Sequence, residues 1–193
     1  PPVPTPVRPE PAERTGNANI ARHLAMMAAS RPDMPALKIS RGGSSTGEID
    51  YLGLTFAELA DEVGAWRALL GARGVGRGDR ALVMVRPGLP LIASVFALFQ
   101  LGAVPVIIDP GMGLKNFLAC VARSRPRVLV GIPLARLVSR VFRSAFSSVA
   151  VRVPVSGSPV ARLGSGKSGR SNSRIEMAAA AAGDLAAILF TSG

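Results

Sequence analysis

The stretch that decides the fold is ALFQLGAVPVIIDPGMG, residues 97–113. Its first five residues complete an apolar run with helical character, and Gly102-Ala103 separates that run from a strand of mostly β-branched residues at 104–108. Asp109-Pro110-Gly111 then opens a sharp turn. A charge-free strand of this kind needs cover on both faces, which is typical of parallel sheets with helices above and below. The stretch therefore predicts an α/β fold.

Helix and strand patterns alternate on both sides of this stretch. From residue 55 onward a helix followed by a strand is predicted four times, at residues 55–74, 81–85, 90–101, 104–108, 115–122, 128–132, 134–146 and 149–153. The first helix begins with a capping box, because Thr55 and Glu58 can satisfy each other's backbone donors. The alternation predicts an open, mostly parallel sheet with helices on both faces.

Upstream of residue 55 the sequence predicts a tail, a helix and a hairpin. Residues 1–16 carry six prolines in their first eleven positions, which is typical of a disordered tail. They lack the hydrophobic centre of a secretory signal, so we expect a cytoplasmic protein. Asn19 is expected to cap a helix that ends before Arg31-Pro32. Short strands at 36–40 and 49–52 flank a Gly/Ser-rich loop and predict a hairpin.

Downstream of the predicted sheet, the composition changes. Residues 154–174 are rich in Ser, Gly, Pro and Arg and predict a flexible linker, and residues 175–182 predict one or two helical turns. The chain then finishes with a strand over 184–190 that runs into Thr191-Ser192-Gly193. We expect residues 17–193 to belong to one domain that includes the linker.

Composition excludes several kinds of site. A single cysteine, Cys120, excludes an intramolecular disulfide and a thiolate metal cage. A single histidine, His23, excludes a site with two histidine ligands. It is interpreted as a surface or half-buried residue of the first helix, because no acid or nucleophile is paired with it by spacing.

The net charge of +11 is confined to one region of the chain. Residues 111–175 hold twelve basic residues and no Asp or Glu, whereas the remainder holds eleven basic and twelve acidic residues. Stacking aromatics between the basic residues, which a nucleic-acid platform would need, are missing. The pattern favours a solvated basic face or an acidic partner, with nucleic acid or contact with a membrane surface as the alternative.

The uncharged run at residues 87–108 is twenty-two residues long, which is enough to span a bilayer. Gln100, Gly102 and Pro105 interrupt it, and its second half has the composition of a strand. A helix followed by a buried strand therefore explains the run better than a transmembrane segment does.

Three motifs, taken together, resemble the N-terminal part of the adenylate-forming enzymes, the superfamily of acyl-CoA synthetases, nonribosomal-peptide adenylation domains and luciferases. They are LTFAEL at residues 54–59, LFQLGAVPVIIDP at 98–110 and AILFTSG at 187–193. The resemblance covers about residues 19–193 and about the first third of such an enzyme. DPGMGLKN at 109–116, with GIP at 131–133, is most similar to the branch that makes olefin β-lactones from β-hydroxy acids.

The resemblance implies ATP-dependent activation of a carboxylic acid, a fatty or β-hydroxy fatty acid, as an acyl-adenylate, with Mg²⁺ neutralising phosphate charge. The substrate's own β-hydroxyl or the thiol of coenzyme A would then displace AMP. Thr191, Ser192 and Gly193 correspond to the opening of the family's phosphate loop. The family's other ATP-binding motifs have no counterpart up to Gly193, so we expect a partial AMP-binding domain that is inactive without a C-terminal part.

A second motif suggests a different class of protein. Residues 161–168, ARLGSGKS, end in the Gly166-Lys167-Ser168 of a nucleotide P-loop, and Asp109 could be the acid that ends a Walker B strand. A P-loop must open a helix, yet a polar run without apolar periodicity follows, which favours a linker. The context of Asp109 favours a turn. A basic P-loop NTPase module and a non-catalytic interaction fragment remain the alternatives.

Overall fold

The computed structural model describes residues 17–43, 49–155 and 177–191. The elements along these residues are α1 (Arg22–Ser30), β1 (Pro35–Gly43), β2 (Ile49–Thr55), α2 (Phe56–Gly71), β3 (Arg80–Met84), α3 (Leu89–Gln100), β4 (Val104–Ile108), α4 (Leu114–Ser124), β5 (Val128–Gly131), α5 (Pro133–Val141), β6 (Val151–Pro154) and β7 (Ile188–Phe190). A short 3-10 turn, Pro110–Met112, links β4 to α4.

Five of the strands form one sheet in the order β6-β5-β3-β4-β7, and every neighbouring pair is parallel. The two remaining strands, β1 and β2, form a separate antiparallel hairpin. The predicted parallel sheet and the predicted hairpin are both confirmed.

The sheet is covered on both faces because its strands alternate between two apolar cores. Ala81 and Val83 face a core formed with α1, α2 and α3, whereas Leu82 between them faces a core formed with α4 and the residues after α5. All three side chains are buried. Since neither face of β3 carries a buried charge, both faces gain from being covered by helices, as the sequence predicted.

The start of α2 has the predicted capping box. The Thr55 hydroxyl accepts a hydrogen bond from the Glu58 backbone N–H at 3.3 Å, and the Glu58 carboxylate accepts one from the Thr55 N–H at 2.8 Å. About two turns after Glu58, Trp66 is 1% exposed and its Nε1 donates to Oε1 of Glu62 at 3.1 Å. The helix is therefore fixed at its beginning and anchored in the core at its middle.

The uncharged run at residues 87–108 folds as α3 followed by β4, as predicted. Gly102 lies between them with φ +69°, a conformation that glycine adopts readily. None of the helices in the described part of the chain is long and apolar enough to cross a bilayer.

Asn19 does not cap α1, contrary to the prediction. The helix begins at Arg22 with Ala21 at its N-cap position. Asn19 is 5% exposed, and its Nδ2 donates to the carbonyl oxygens of Phe99 at 2.6 Å and Ala178 at 3.0 Å, while its Oδ1 accepts from the Ala21 N–H. Its amide therefore ties the start of α1 to the end of α3 and to the segment before β7.

The predicted helical turns at residues 175–182 are wrong for residues 177–182, which are not helical. The Ala178 N–H donates to the Gln100 carbonyl at 2.9 Å, and the Ala180 carbonyl accepts from the Ala18 N–H at 2.8 Å. Contacts with two other segments thus use the backbone groups that a helix would have paired internally.

Several predicted boundaries also differ. The strand predicted over 184–190 is β7 at 188–190, and residues 184–187 are not part of a strand. Residues 142–146 lie outside α5, which ends at Val141, and the strand predicted at 149–153 is β6 at 151–154. Pro154 therefore belongs to β6 rather than to the linker. Val155 is buried, and its N–H donates a hydrogen bond to the Gly131 carbonyl. The rest of the predicted linker, residues 156–174, and the predicted tail, residues 1–16, lie outside the described residues.

We expect Leu82→Ala to lower the free energy of unfolding by about 2–5 kcal/mol, because it leaves a cavity in a closely packed core. Leu189→Ala removes the same atoms from a side chain that is 65% exposed on the outer strand β7, and its effect should stay within about 0.5 kcal/mol. Urea unfolding of both variants checks this. Equal losses would contradict the assignment of Leu82 to the core.

Candidate functional site

The five parallel strands end at one edge of the sheet, which is where open α/β sheets bind ligands. The residues that directly follow the strands at this edge are Val85, Asp109, Ile132, Val155 and Thr191. Backbone hydrogen bonds hold the edge together, from Ile132 N to Met84 O at 3.1 Å and from Val155 N to Gly131 O at 3.0 Å. These hydrogen bonds fix the ends of the strands relative to one another, and with them the starting points of the loops that follow.

Thr191, the first residue of the predicted phosphate loop, stands beside Asp109. Ile108 of β4 pairs with Phe190 of β7, and the Asp109 N–H donates to the Phe190 carbonyl at 3.0 Å. Thr191 is exposed, so a ligand can reach its hydroxyl. Ser192 and Gly193, the other two predicted phosphate-binding residues, lie outside the described residues.

Asp109 forms the turn that the sequence predicted. Its Oδ1 accepts a hydrogen bond from the Gly111 N–H at 2.8 Å and opens the 3-10 turn that leads to α4. In the first turn of α4, the Nδ2 of Asn116 donates to the Met112 carbonyl at 3.1 Å and so connects the helix to the 3-10 turn before it. Residues 109–116, DPGMGLKN, are thus a structured turn that begins next to Thr191.

The segment before β7 is anchored at the opposite edge of the sheet. Besides its hydrogen bonds to Asn19 and Gln100, this segment binds Arg77, which donates to the Ala179 carbonyl and, at 2.9 Å, to the Asp184 carboxylate. A Cβ at Gly102 would lie only 2.9 Å from the Ala178 Cβ. These contacts determine where β7 joins the sheet, and hence where Thr191 lies.

A hollow of about 580 Å³ lies at this opposite edge, among residues that include Asn19, Arg77 and Leu185. Because it also touches Val104, the first residue of β4, it lies at the other end of that strand from Asp109 and Thr191. The hollow is therefore separate from the candidate site.

Metal ligands are not clustered in the described parts of the chain, where no three His, Cys, Asp or Glu side chains come close enough to hold an ion. His23 is exposed on α1, as predicted, and the Cys120 thiol lies 3.8 Å from the sulfur of Met112.

The alternative nucleotide site was predicted at residues 161–168. Gly166, Lys167 and Ser168 lie outside the described residues, so this alternative stays a prediction.

The sequence analysis did not predict that Asp109 and Thr191 are neighbours. It follows from the pairing of β4 with β7, for which the local pattern of residues carries no signal.

Comparison with known sequences gives both a family and relatives. The model of the family described as "AMP-binding enzyme" matches residues 24–193. The chain is 39% identical over 181 residues to an olefin beta-lactone synthetase of Xanthomonas campestris pv. campestris and 39% identical over 186 residues to one of Stenotrophomonas maltophilia. Each alignment covers 91% of this chain and 32% of the relative, so the chain spans about a third of their length.

Solved structures agree on the fold. A fatty acyl CoA synthetase of Mycobacterium tuberculosis superimposes with a TM-score of 0.66 at 22% identity, covering 90% of this chain and 32% of that one. A long-chain-fatty-acid-CoA ligase of Archaeoglobus fulgidus gives 0.61 at 16% identity, covering 73% and 28%. At these identities the likeness shows that the fold is shared.

We expect Gly102→Ala to destabilise the protein more than Gly74→Ala does. Both glycines have nearly the same positive φ, +69° and +71°, so the backbone strain, about 1–2 kcal/mol, is matched. Only at Gly102 would the new Cβ meet other segments, at 2.9 Å from the Ala178 Cβ and 3.3 Å from the Arg77 Cγ. Urea unfolding should show the larger loss for Gly102→Ala, and hydrogen exchange should be faster at the Ala178 N–H in that variant alone. Equal behaviour of the two variants would mean that this contact does not anchor β7.

Proposed function

Because the chain belongs to the AMP-binding enzyme family, we propose that it is part of an ATP-dependent ligase that activates a fatty or β-hydroxy fatty acid as its acyl-adenylate. The observation that carries the proposal is 39% identity, over 91% of the chain, to two olefin beta-lactone synthetases. The parallel sheet supports it, since Thr191 follows a strand at the edge where such sheets bind ligands.

In the first step, a carboxylate oxygen of the acid attacks the α-phosphorus of ATP. The bond from that phosphorus to the bridging oxygen breaks, pyrophosphate leaves and the acid becomes a mixed anhydride with AMP. The described residue suited to this step is Thr191, whose exposed hydroxyl can donate a hydrogen bond to a phosphate oxygen. Asp109 acts on it indirectly, because its backbone N–H holds the strand that carries Thr191.

In the second step, we propose that the β-hydroxyl oxygen of the substrate attacks its own activated carbonyl carbon. AMP leaves, the hydroxyl proton passes to a base, and a four-membered lactone forms. The turn at residues 109–116 supports this route, because it carries the sequence that resembles the β-lactone branch and begins beside Thr191. The competing route uses the thiol of coenzyme A in place of the hydroxyl and yields a thioester.

Activity should need more than residues 1–193, since the relatives are about three times as long. Stabilising the charge that develops on transferred phosphates needs several fixed donors and cations, and Thr191 supplies one donor. Mg²⁺ bound with ATP would neutralise phosphate charge. We therefore propose the remaining two thirds of such an enzyme, an acid and ATP as the partners of this chain.

The test is a chimera in which residues 1–193 replace the matching third of the Xanthomonas enzyme. We expect ATP–pyrophosphate exchange that depends on a β-hydroxy fatty acid, with β-lactone as the product detected by mass spectrometry, and no exchange by residues 1–193 alone. A thioester formed only with coenzyme A would instead select the competing route. A folded chimera without acid-dependent exchange would refute the proposal.

Within this chimera, Thr191→Ala should lower the exchange rate by about tenfold or more, because a hydrogen bond to a charged phosphate is lost. Thr191→Ser keeps the hydroxyl and should retain most of the rate. Lys167→Ala serves as the control for the alternative P-loop and should leave ATP binding unchanged. If Lys167→Ala abolished nucleotide binding while Thr191→Ala did not, the P-loop alternative would be correct.

A further inference from the structure

Helix α5 carries its largest aliphatic side chains on its outer side. Leu134, Leu137 and Val141 are 62%, 58% and 63% exposed. They are three and four residues apart, so they form one stripe along the helix. On the described surface this places three large apolar side chains together on one short helix.

The close approach of α5 to the sheet explains why this stripe faces outward. A Cβ at Gly131 of β5 would lie 2.6 Å from the Cβ of Ala135. The inward positions next to the strand are accordingly small, with Ala135 and Ser139 each 1% exposed. There is no space for a leucine beneath the helix at this point, so the outward stripe is a consequence of the packing.

An arginine-lined hollow of about 450 Å³ adjoins the helix. Arg140, Arg143 and Arg152 line it, and Phe146 and Val149 contribute buried apolar side chains to its lining. Residues 111–155 contain no Asp or Glu, and the ion pairs recorded between described residues do not include these three arginines. Several guanidinium groups around one hollow can bind a phosphate group, because each guanidinium group can donate two parallel hydrogen bonds to phosphate oxygens.

We propose that this surface, formed by Leu134, Leu137, Val141, Arg140, Arg143 and Arg152, docks the protein on an anionic phospholipid membrane. The aliphatic stripe would enter the boundary between headgroups and acyl chains, and the arginines would bind lipid phosphates beside it. Charge complementarity selects this occupant, since the surface is both apolar and free of acidic residues. The proposal needs no ATP and no acid, so it stands or falls separately from the proposed function.

The test is co-sedimentation of the full chain with vesicles. We expect binding to vesicles that mix phosphatidylglycerol with phosphatidylcholine, weak binding to pure phosphatidylcholine, and a loss of binding as salt is raised. The double variant Leu134→Gln/Leu137→Gln and the double variant Arg140→Gln/Arg143→Gln should each lower the affinity by about tenfold or more. All four side chains are exposed, so circular dichroism should show folded variants.

Matched controls remove the same groups elsewhere on the surface. The double variant Leu185→Gln/Leu189→Gln changes two leucines that are 54% and 65% exposed, and Arg22→Gln/Arg31→Gln removes two charges from exposed arginines at the ends of α1. Both should bind as the parent does. The proposal is overturned if anionic vesicles do not bind, or if the control variants lose binding as much as the α5 variants. It is also overturned if the chain self-associates and the leucine variant abolishes that association, since a second copy would then cover α5. Failure of the folded chimera to bind would overturn it too, since another part of the enzyme would then cover α5.

Discussion

The structure depends on the burial of both faces of a short parallel sheet. Successive residues of β3, such as Leu82 and Val83, enter different cores, so helices are needed on both sides. Helices that connect parallel strands must return each time to the same edge, and the strands of the sheet therefore all end together. Burial of the strands thus brings their carboxyl ends to one edge, and the hydrogen bonds of the segment before β7 then determine where Thr191 joins that edge beside Asp109.

The sequence predicted this architecture well because the information is local. Apolar periodicity and the capping box of Thr55 and Glu58 depend on residues within a few positions of each other, and the structure confirms them. The failures lie where the partner is distant. Asn19 has the residue type of a helix cap, yet it binds carbonyl groups 80 and 159 residues away. The alanines at 177–182 have high helix propensity, but their backbone bonds are made with other segments.

In the candidate site too, the features that depend on local residues could be predicted and those that depend on distant residues could not. Thr191 could be identified from a motif, and the turn at Asp109 from the residues Asp-Pro-Gly. That the two are neighbours could not be predicted, because it follows from the pairing of β4 with β7, whose residues are about eighty positions apart. Strand order is decided by which helices fit on which face, and several orders are compatible with one alternating pattern.

In helix α5, packing against the sheet determines which of two apolar faces is buried. Leu134, Leu137 and Val141 have the spacing of a core stripe, but so do the residues actually turned inward, among them Ala135, Val138 and Phe142. By hydrophobicity alone the leucine stripe would be buried. Gly131 changes the outcome, because a strand without a side chain at that point lets the helix come so close that only alanine fits beneath it. Ala135 then takes the position beneath the helix, Leu134, Leu137 and Val141 face outward, and the same close packing creates an apolar surface beside a group of arginines.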